Sequence, residues 1–469
     1  METMYQIVKT ILVVVFCIES LFAPKIAGGD FSPSDPVEQG DEAKYVQITA
    51  DDEGFDTWQP VKDRGGYCYG PSMILNADGS LDIWSASNGP GDLIDLVSYK
   101  RYSPDFQKST KEVIALKPTA ESHDGMWTCD PGVIKVGDYY YIGYTTTLDA
   151  RGTDNDVCIG RSKSPNGPFT EKWTGSCWGI EPKPLVEFTG NPDCFGVGEP
   201  SFVLLGETLY VYYSWCDEKG AATWVATADA TDENWPATLQ FHGECIPPKD
   251  GGDSADVKYL DAYGRFVAVF TEKRFSDESY VAVWESFDGL SFRPSGFVKA
   301  NTCKKLHNCG ISGRADGHIA AGDPVYLSYA YAGADSAGSW GNWATRLHKV
   351  TLSLSDEPKI DTSTETNNDV VVTHRDVRLV PEIVTVKAEK QSYTISKSEH
   401  IWVMAFDTDY FVFPILTDMR FDGYDTSVIR IVGTRIIPVA PGDTRVYVHW
   451  HGLSGDFVVH VTESVKESA

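Results

Sequence analysis

A repeat constrains this chain more than any other feature. The segment Trp127-Thr-Cys-Asp-Pro-Gly-Val-Ile-Lys135, a Gly137-Asp138 turn and the aromatic run Tyr139-Tyr-Tyr-Ile-Gly-Tyr144 recur in outline five times. Each copy opens with a short apolar run: Pro71–Leu75, Pro131–Lys135, Pro200–Leu204, Asp256–Leu260 and Gly310–Arg314. A turn rich in Gly, Asp or Asn follows, then a second run such as Leu209–Tyr213 or Arg265–Phe270, then a third such as Val281–Ser286. Runs of strand length separated by residues that tolerate tight reversal read as antiparallel strands. A unit repeated at this interval cannot bury its apolar face alone and must stack on its neighbours. The fold expected is all-β: a five-bladed β-propeller over 45–352, with the first strand of each blade lining a central channel.

Beyond the repeat the pattern changes. Residues 353–379 are rich in Thr, Asp and Asn and read as a linker. Short strand-like runs at Ile383–Val386, Ile401–Ala405, Val428–Val432, Arg445–Trp450 and Phe457–Val461 suggest a small β-sandwich over 380–469. At the other end, Lys9 and the mostly apolar Thr10–Ala23 read as a signal peptide within 1–27, interrupted by Glu19 and too short for a membrane span. A secreted or cell-surface location follows. An exported chain can form disulfides, and Cys303 with Cys309 is the expected pair. No Cys/His spacing has the form of a zinc site, so no metal ligands and no cofactor are expected.

The net charge of −27 and the lack of any Lys/Arg block argue against a nucleic-acid partner. Aromatic residues are dense, with 13 Trp, 23 Tyr and 21 Phe; many should be core, but exposed rings also suit a carbohydrate partner, whose apolar faces stack on them. Oligomeric state is not legible.

Chemistry is expected where the first strands begin, because all five blades converge there. Asp130 precedes Pro131, Glu199 precedes Pro200, and Asp256 opens the fourth first strand. Carboxylates brought together from separate blades can protonate a leaving oxygen, activate water and tune one another, which is what cleavage of a glycosidic bond requires. Trp127, Asp124 and Arg314 are the candidate substrate contacts; Trp178 and Trp215 could stack on sugars. Arg314 could instead hold Asp316, and His123 and His318 are weaker candidates.

Three of these stretches resemble a known family. Asp130-Pro-Gly-Val-Ile134 with Tyr139–Tyr144 is similar to the Asp-Pro-x-x-Ile…Tyr-Tyr-Leu signature of glycoside hydrolase family 43 and its relatives. Arg161-Ser-Lys-Ser-Pro-Asn-Gly-Pro-Phe169 resembles a blade-edge segment of that family, and Gly198-Glu-Pro-Ser-Phe-Val203 its general-acid segment. The resemblance implies a five-bladed propeller that hydrolyses arabinose- or xylose-containing or related polysaccharides, usually with inversion, and in some relatives with a structural calcium ion. Glu199 would be the acid and Asp130 the base or the tuning residue. The family's first-blade acid is missing: the position reads Tyr69-Gly-Pro-Ser72, leaving Asp256, Asp63 or Asp95 to complete the set. A non-catalytic carbohydrate-binding or surface protein on the same propeller is the alternative. The run Pro441–Val448 with Gly455–Val459 resembles bacterial immunoglobulin-like domains of the Big2 type.

Overall fold

The computed structural model describes residues 43–60, 67–87, 95–119, 122–125, 127–147, 152–249, 255–332, 343–369, 383–388, 390–407, 412–415 and 419–462. The signal-peptide and Asp63 expectations lie outside them. The chain divides into two compact units, one running to Pro60 and taking in 66–87 and 96–374, the other taking in 61–65, 88–95 and 375–469.

Among the described residues the first unit contains five sheets built on antiparallel strands that follow one another in chain order, with added strands in the fourth and fifth. Their innermost strands are Cys68–Leu75, Trp127–Val136, Gly196–Leu205, Asp256–Leu260 and Leu306–Ile311. Each packs against the next and the fifth against the first, so the sheets form a closed, propeller-type ring. Apolar side chains fill every interface between neighbouring sheets. Ile74, Trp84, Ile142 and Tyr144 lie between the first and second, and Tyr141, Phe202, Val211 and Trp235 between the second and third. Tyr212, Val225, Phe266 and Ala268 follow, then Val267, Val269, Leu327 and Tyr329, and finally Met73, Leu81, Tyr326 and Leu347. Much of the aromatic excess is thus core.

The ring is closed by its N-terminal strand. Tyr45–Ala50 pairs antiparallel with Trp343–Ser355 and becomes the outer strand of the fifth sheet. Closing a ring with both chain ends removes a loose last sheet. A buried knot fixes this strand: Val46 N donates to Glu285 Oε2 at 2.9 Å, and Glu285, itself fully buried, pairs with Arg265 and Arg293.

One end of the channel is sealed. The chain leaving the fifth inner strand does not turn outward but runs across the ends of the other four. Gly313 O accepts from Leu75 N, Ala315 O from Lys135 N, Asp316 O from Leu204 N and Gly317 O from Tyr259 N, at 2.7–3.0 Å. His318–Ile319 then pairs parallel with Tyr259–Leu260. Gly317 is required here: its φ is +85°, and a Cβ would stand 2.7 Å from Phe202 O. The fifth inner strand therefore begins at Leu306, four residues before the Gly310–Arg314 run expected from sequence, and Arg314 belongs to this floor.

Two further expectations are corrected. Cys303 is a buried free thiol, so the Cys303–Cys309 disulfide does not form. The stretch after Ser355 is strapped to the ring: Lys359 N donates to Ser295 O, Asn368 N to Thr302 O, and Asn367 Nδ2 to Ser279 O and Cys303 O.

The second unit is also all strand among its described residues, in three small sheets. Its clearest element is the hairpin Gly442–Trp450 with Leu453–Val461, which buries Val446, Val448, Phe457 and Val459 by strict alternation.

Candidate active site

The open end of the ring is built from a repeated irregularity. In the first three sheets the pairing of the inner strand slips between Tyr69 and Ser72, Cys129 and Gly132, and Gly198 and Ser201. The residues thrown out of register are Gly70, Asp130 and Glu199, each followed by proline and each left-handed, with φ of +58°, +46° and +55°. A bulge of this kind re-aims one side chain out of the sheet. Glycine occupies such a position without strain, whereas an Asp or Glu costs about 1 kcal/mol or more. Close approach of neighbouring strands tightens the site further, since a Cβ on Gly132 would stand 2.0 Å from Pro200 O.

The five strand starts meet at a shallow depression lined by Asp130, Glu199, Asp256, Asn308 and the prolines beside them. Glu199 is held from three sides. Its N–H donates to Thr145 Oγ1 at 2.8 Å, Ser214 Oγ donates to its Oε2 at 2.6 Å, and Asn308 Nδ2 approaches its Oε1 at 3.3 Å. The same Asn308 nitrogen lies 3.4 Å from Oδ1 of Asp130, which is 7% exposed.

Asp256 reaches the same mouth in a different state. Its Oδ1 accepts from Ser201 Oγ at 2.8 Å and forms an ion pair with buried Lys258; its Oδ2 accepts from Ile311 N at 2.8 Å. Both oxygens are committed to tying the third, fourth and fifth sheets together.

The expected substrate contacts do not line this depression. Asp124 is fully buried in an ion pair with Lys172 and accepts from Thr119 N, Ser122 Oγ and Tyr144 OH. Arg314 pairs through two nitrogens with Asp323, at 2.8 and 2.9 Å, and holds neither a mouth carboxylate nor Asp316. Trp127 is half-buried at the start of its strand, where it faces Thr147 across the ladder. His123 pairs with Asp156, and Trp178 is core, packed on Tyr141 and the Arg161 guanidinium. Trp215 stacks on Trp224 at 4.3 Å. Asp95 falls in the second unit.

His318 anchors the floor. Its Nδ1 meets Asp261 Oδ1 at 2.6 Å and its Nε2 meets Leu204 O at 2.7 Å. Burial opposes its charge, but the hydrogen bond it donates to Asp261, the charges of Asp316 and Asp261 and the Leu204 carbonyl outweigh it and raise its pKa. Among the described residues no cluster of three His, Cys, Asp or Glu side chains is arranged to hold a metal, and no helix is long and apolar enough to cross a membrane.

Sequence reasoning missed Asn308, Ser214 and Lys258. Lys258 lies in a run already recognised as a strand, Ser214 one residue past the end of another, and Asn308 before the point where the fifth run was read to begin.

No family model and no curated protein matches the chain. Solved structures resemble it at a distance. An α-L-arabinofuranosidase from Podospora anserina in complex with cellotriose is 12% identical over 66% of this chain and 98% of its own, with a TM-score of 0.46. A family 117 glycoside hydrolase from Zobellia galactanivorans is 15% identical over 66% and 90%, TM-score 0.46. A sucrose-6-phosphate hydrolase from Lactobacillus gasseri is 11% identical over 88% and 89%, TM-score 0.45. Likeness at this level assigns no family.

Proposed function

We propose that this chain is a secreted glycoside hydrolase: a five-bladed β-propeller, followed by an immunoglobulin-like module, that cleaves arabinose- or xylose-type or related polysaccharides by general acid/base catalysis. One observation carries the reading. Asp130 and Glu199 occupy equivalent left-handed bulge positions on adjacent sheets, where glycine would be cheaper, and share one amide at the mouth. Strain accepted twice to aim two carboxyl groups into one depression is the signature of a working site.

Glu199 is the acid that protonates the leaving oxygen, oriented by Ser214. Asp130 acts on the opposite side of the scissile bond, as the base for water if the anomeric centre inverts or as the nucleophile if it is retained. Asp256, ion-paired with Lys258, fixes the mouth and contributes its field. Carboxyl groups roughly 5–5.5 Å apart suit retention and roughly 6.5–9.5 Å suit inversion. Proton NMR of the first-formed product decides between them; inversion is the reading taken from the family resemblance.

The test is sugar release from arabinan, xylan and aryl glycosides by the wild type and by Glu199→Gln. Loss of a general acid should cost on the order of 10²–10⁴ in rate. An active wild type alongside a fully active Glu199→Gln refutes the assignment. The second reading, a carbohydrate-binding protein without turnover, draws on Gly70, which leaves the first bulge without a carboxylate, and on the committed oxygens of Asp256. Glycan binding by calorimetry with no product at any pH favours it.

A further inference from the structure

Asn308 is the mouth residue to which the acid/base scheme gives no chemical step, yet its placement is the most constrained. It lies on the fifth inner strand, 2% exposed, and its Nδ2 lies within hydrogen-bond reach of Asp130 Oδ1 and Glu199 Oε1. Its own Oδ1 is buried and without a partner among the described residues. Reversing the amide would turn that carbonyl oxygen toward two carboxylates. An orphaned acceptor is the smaller penalty, so the carboxylates dictate the orientation of the amide.

Other sheets also bring groups to the mouth. The first sheet presents Gly70, Pro71 and Ser72 and no charge. From the fourth sheet comes Asp256, compensated by Lys258. On the fifth strand, His307 stacks against Tyr69 and packs on Phe275 and Trp343, and Cys309 lies one residue beyond Asn308. Ser214 serves Glu199 alone. Two carboxylates that approach one amide nitrogen repel each other when both are ionised. A neutral group donating one N–H to each opposes that repulsion without adding charge.

We propose that Asn308 is a positioning residue: one carboxamide from the fifth sheet fixes the spacing of Asp130 and Glu199 and couples their protonation, so that the second proton leaves the pair more readily than two bare carboxylates would allow. Its catalytic consequence rests on the acid/base reading; the coupling itself does not.

The experiment titrates the full chain, labelled with ¹³C at Asp and Glu carboxyl groups, by NMR; Asp130→Asn and Glu199→Gln assign the two resonances. In Asn308→Ala the upper of the two apparent pKa values should rise by about one unit, the size expected for losing a hydrogen bond to a charged group. In the isosteric Asn308→Asp it should rise further, because a third carboxylate joins the pair. For an active enzyme, the alkaline limb of the pH–rate profile should move by the same amount. Unmoved titrations in both variants, with circular dichroism and melting as in the wild type, overturn the proposal. If Asn308→Ala does not fold, Asn308→Asp decides alone. Should the titration move in a protein that releases no sugar, the hydrolase reading fails and the coupling stands. Release of sugar with an unmoved titration keeps the hydrolase reading and overturns the coupling.

Discussion

Replacing Lys172 with Met tests whether the loop ahead of the Trp127 strand is structural or substrate-binding. Lys172 and Asp124 are both buried, with side chains 3% and 0% exposed, and Lys172 Nζ also donates to Thr119 Oγ1 at 2.7 Å. The substitution leaves the Asp124 carboxylate buried without its cation. Removing one partner of a buried pair typically costs about 3–5 kcal/mol. Three donors remain on Asp124, from Thr119, Ser122 and Tyr144, which sets the expectation at the lower end, about 3 kcal/mol. At roughly 2–4 °C per kcal/mol for a domain of this size, Tm should fall by about 6–12 °C. Asp124→Asn should destabilise comparably, because Lys172 is then the uncompensated charge. The double variant should lose less than the sum, with a coupling energy of about 2 kcal/mol or more. Scanning calorimetry of the four proteins gives the cycle. A Lys172→Met protein that melts within about 2 °C of the wild type refutes the buried-pair reasoning. An Asp124→Asn protein of unchanged Tm but weakened glycan binding would restore Asp124 as a substrate contact.

His318 carries a pH-dependent share of stability. Its pKa is raised in the folded state, so its contribution is fully present below the ordinary value of about 6.5 and is lost as pH rises through the elevated one; the Tm gap between wild type and His318→Asn should be widest near pH 5.5 and narrow on the alkaline side, and a pH-independent gap refutes this. The Cys303 thiol, buried and pushed up to about 11 chiefly by desolvation, should resist iodoacetamide in the native protein and react fully in 6 M guanidinium without reductant; a Cys303–Cys309 peptide in non-reducing mass spectrometry contradicts the structure. Deletion through Ala50 removes the strand that closes the ring and exposes the Arg265–Glu285 knot, and should abolish the cooperative melting of the first unit; retention of a sharp transition at the wild-type Tm would show that the ring closes without it.

The sequence made the repeats legible because strand period, turn chemistry and aromatic runs agree locally in each sheet. It made Asp130 and Glu199 legible because a bulge followed by proline leaves a short, regular trace in two successive copies. The ring closure was not legible: Tyr45–Ala50 pairs with a strand some 300 residues away, and nothing local distinguishes it from a lead-in. The floor was hidden for the same reason. Residues 313–319 satisfy the ends of four other strands through backbone carbonyls, which carry no side-chain signature. The burial of Asp124 was not legible because its partner Lys172 lies 48 residues further along the chain, on an outer strand of the second sheet.

The three bulges show why the mouth is asymmetric. Gly70, Asp130 and Glu199 share one backbone conformation, so the ring offers three equivalent places for a carboxyl group and fills two. The empty place is not spare room. A Cβ on Gly70 would lie 3.2 Å from Asp130 Oδ1 and 3.4 Å from its Cα, so an acid there would press directly on the neighbouring one. The second donor to the pair comes instead from the far side, where Asn308 brings two N–H bonds and no charge. With Asp256 paired to Lys258, the mouth holds one carboxylate pair bridged by a neutral amide rather than a cluster of three free acids.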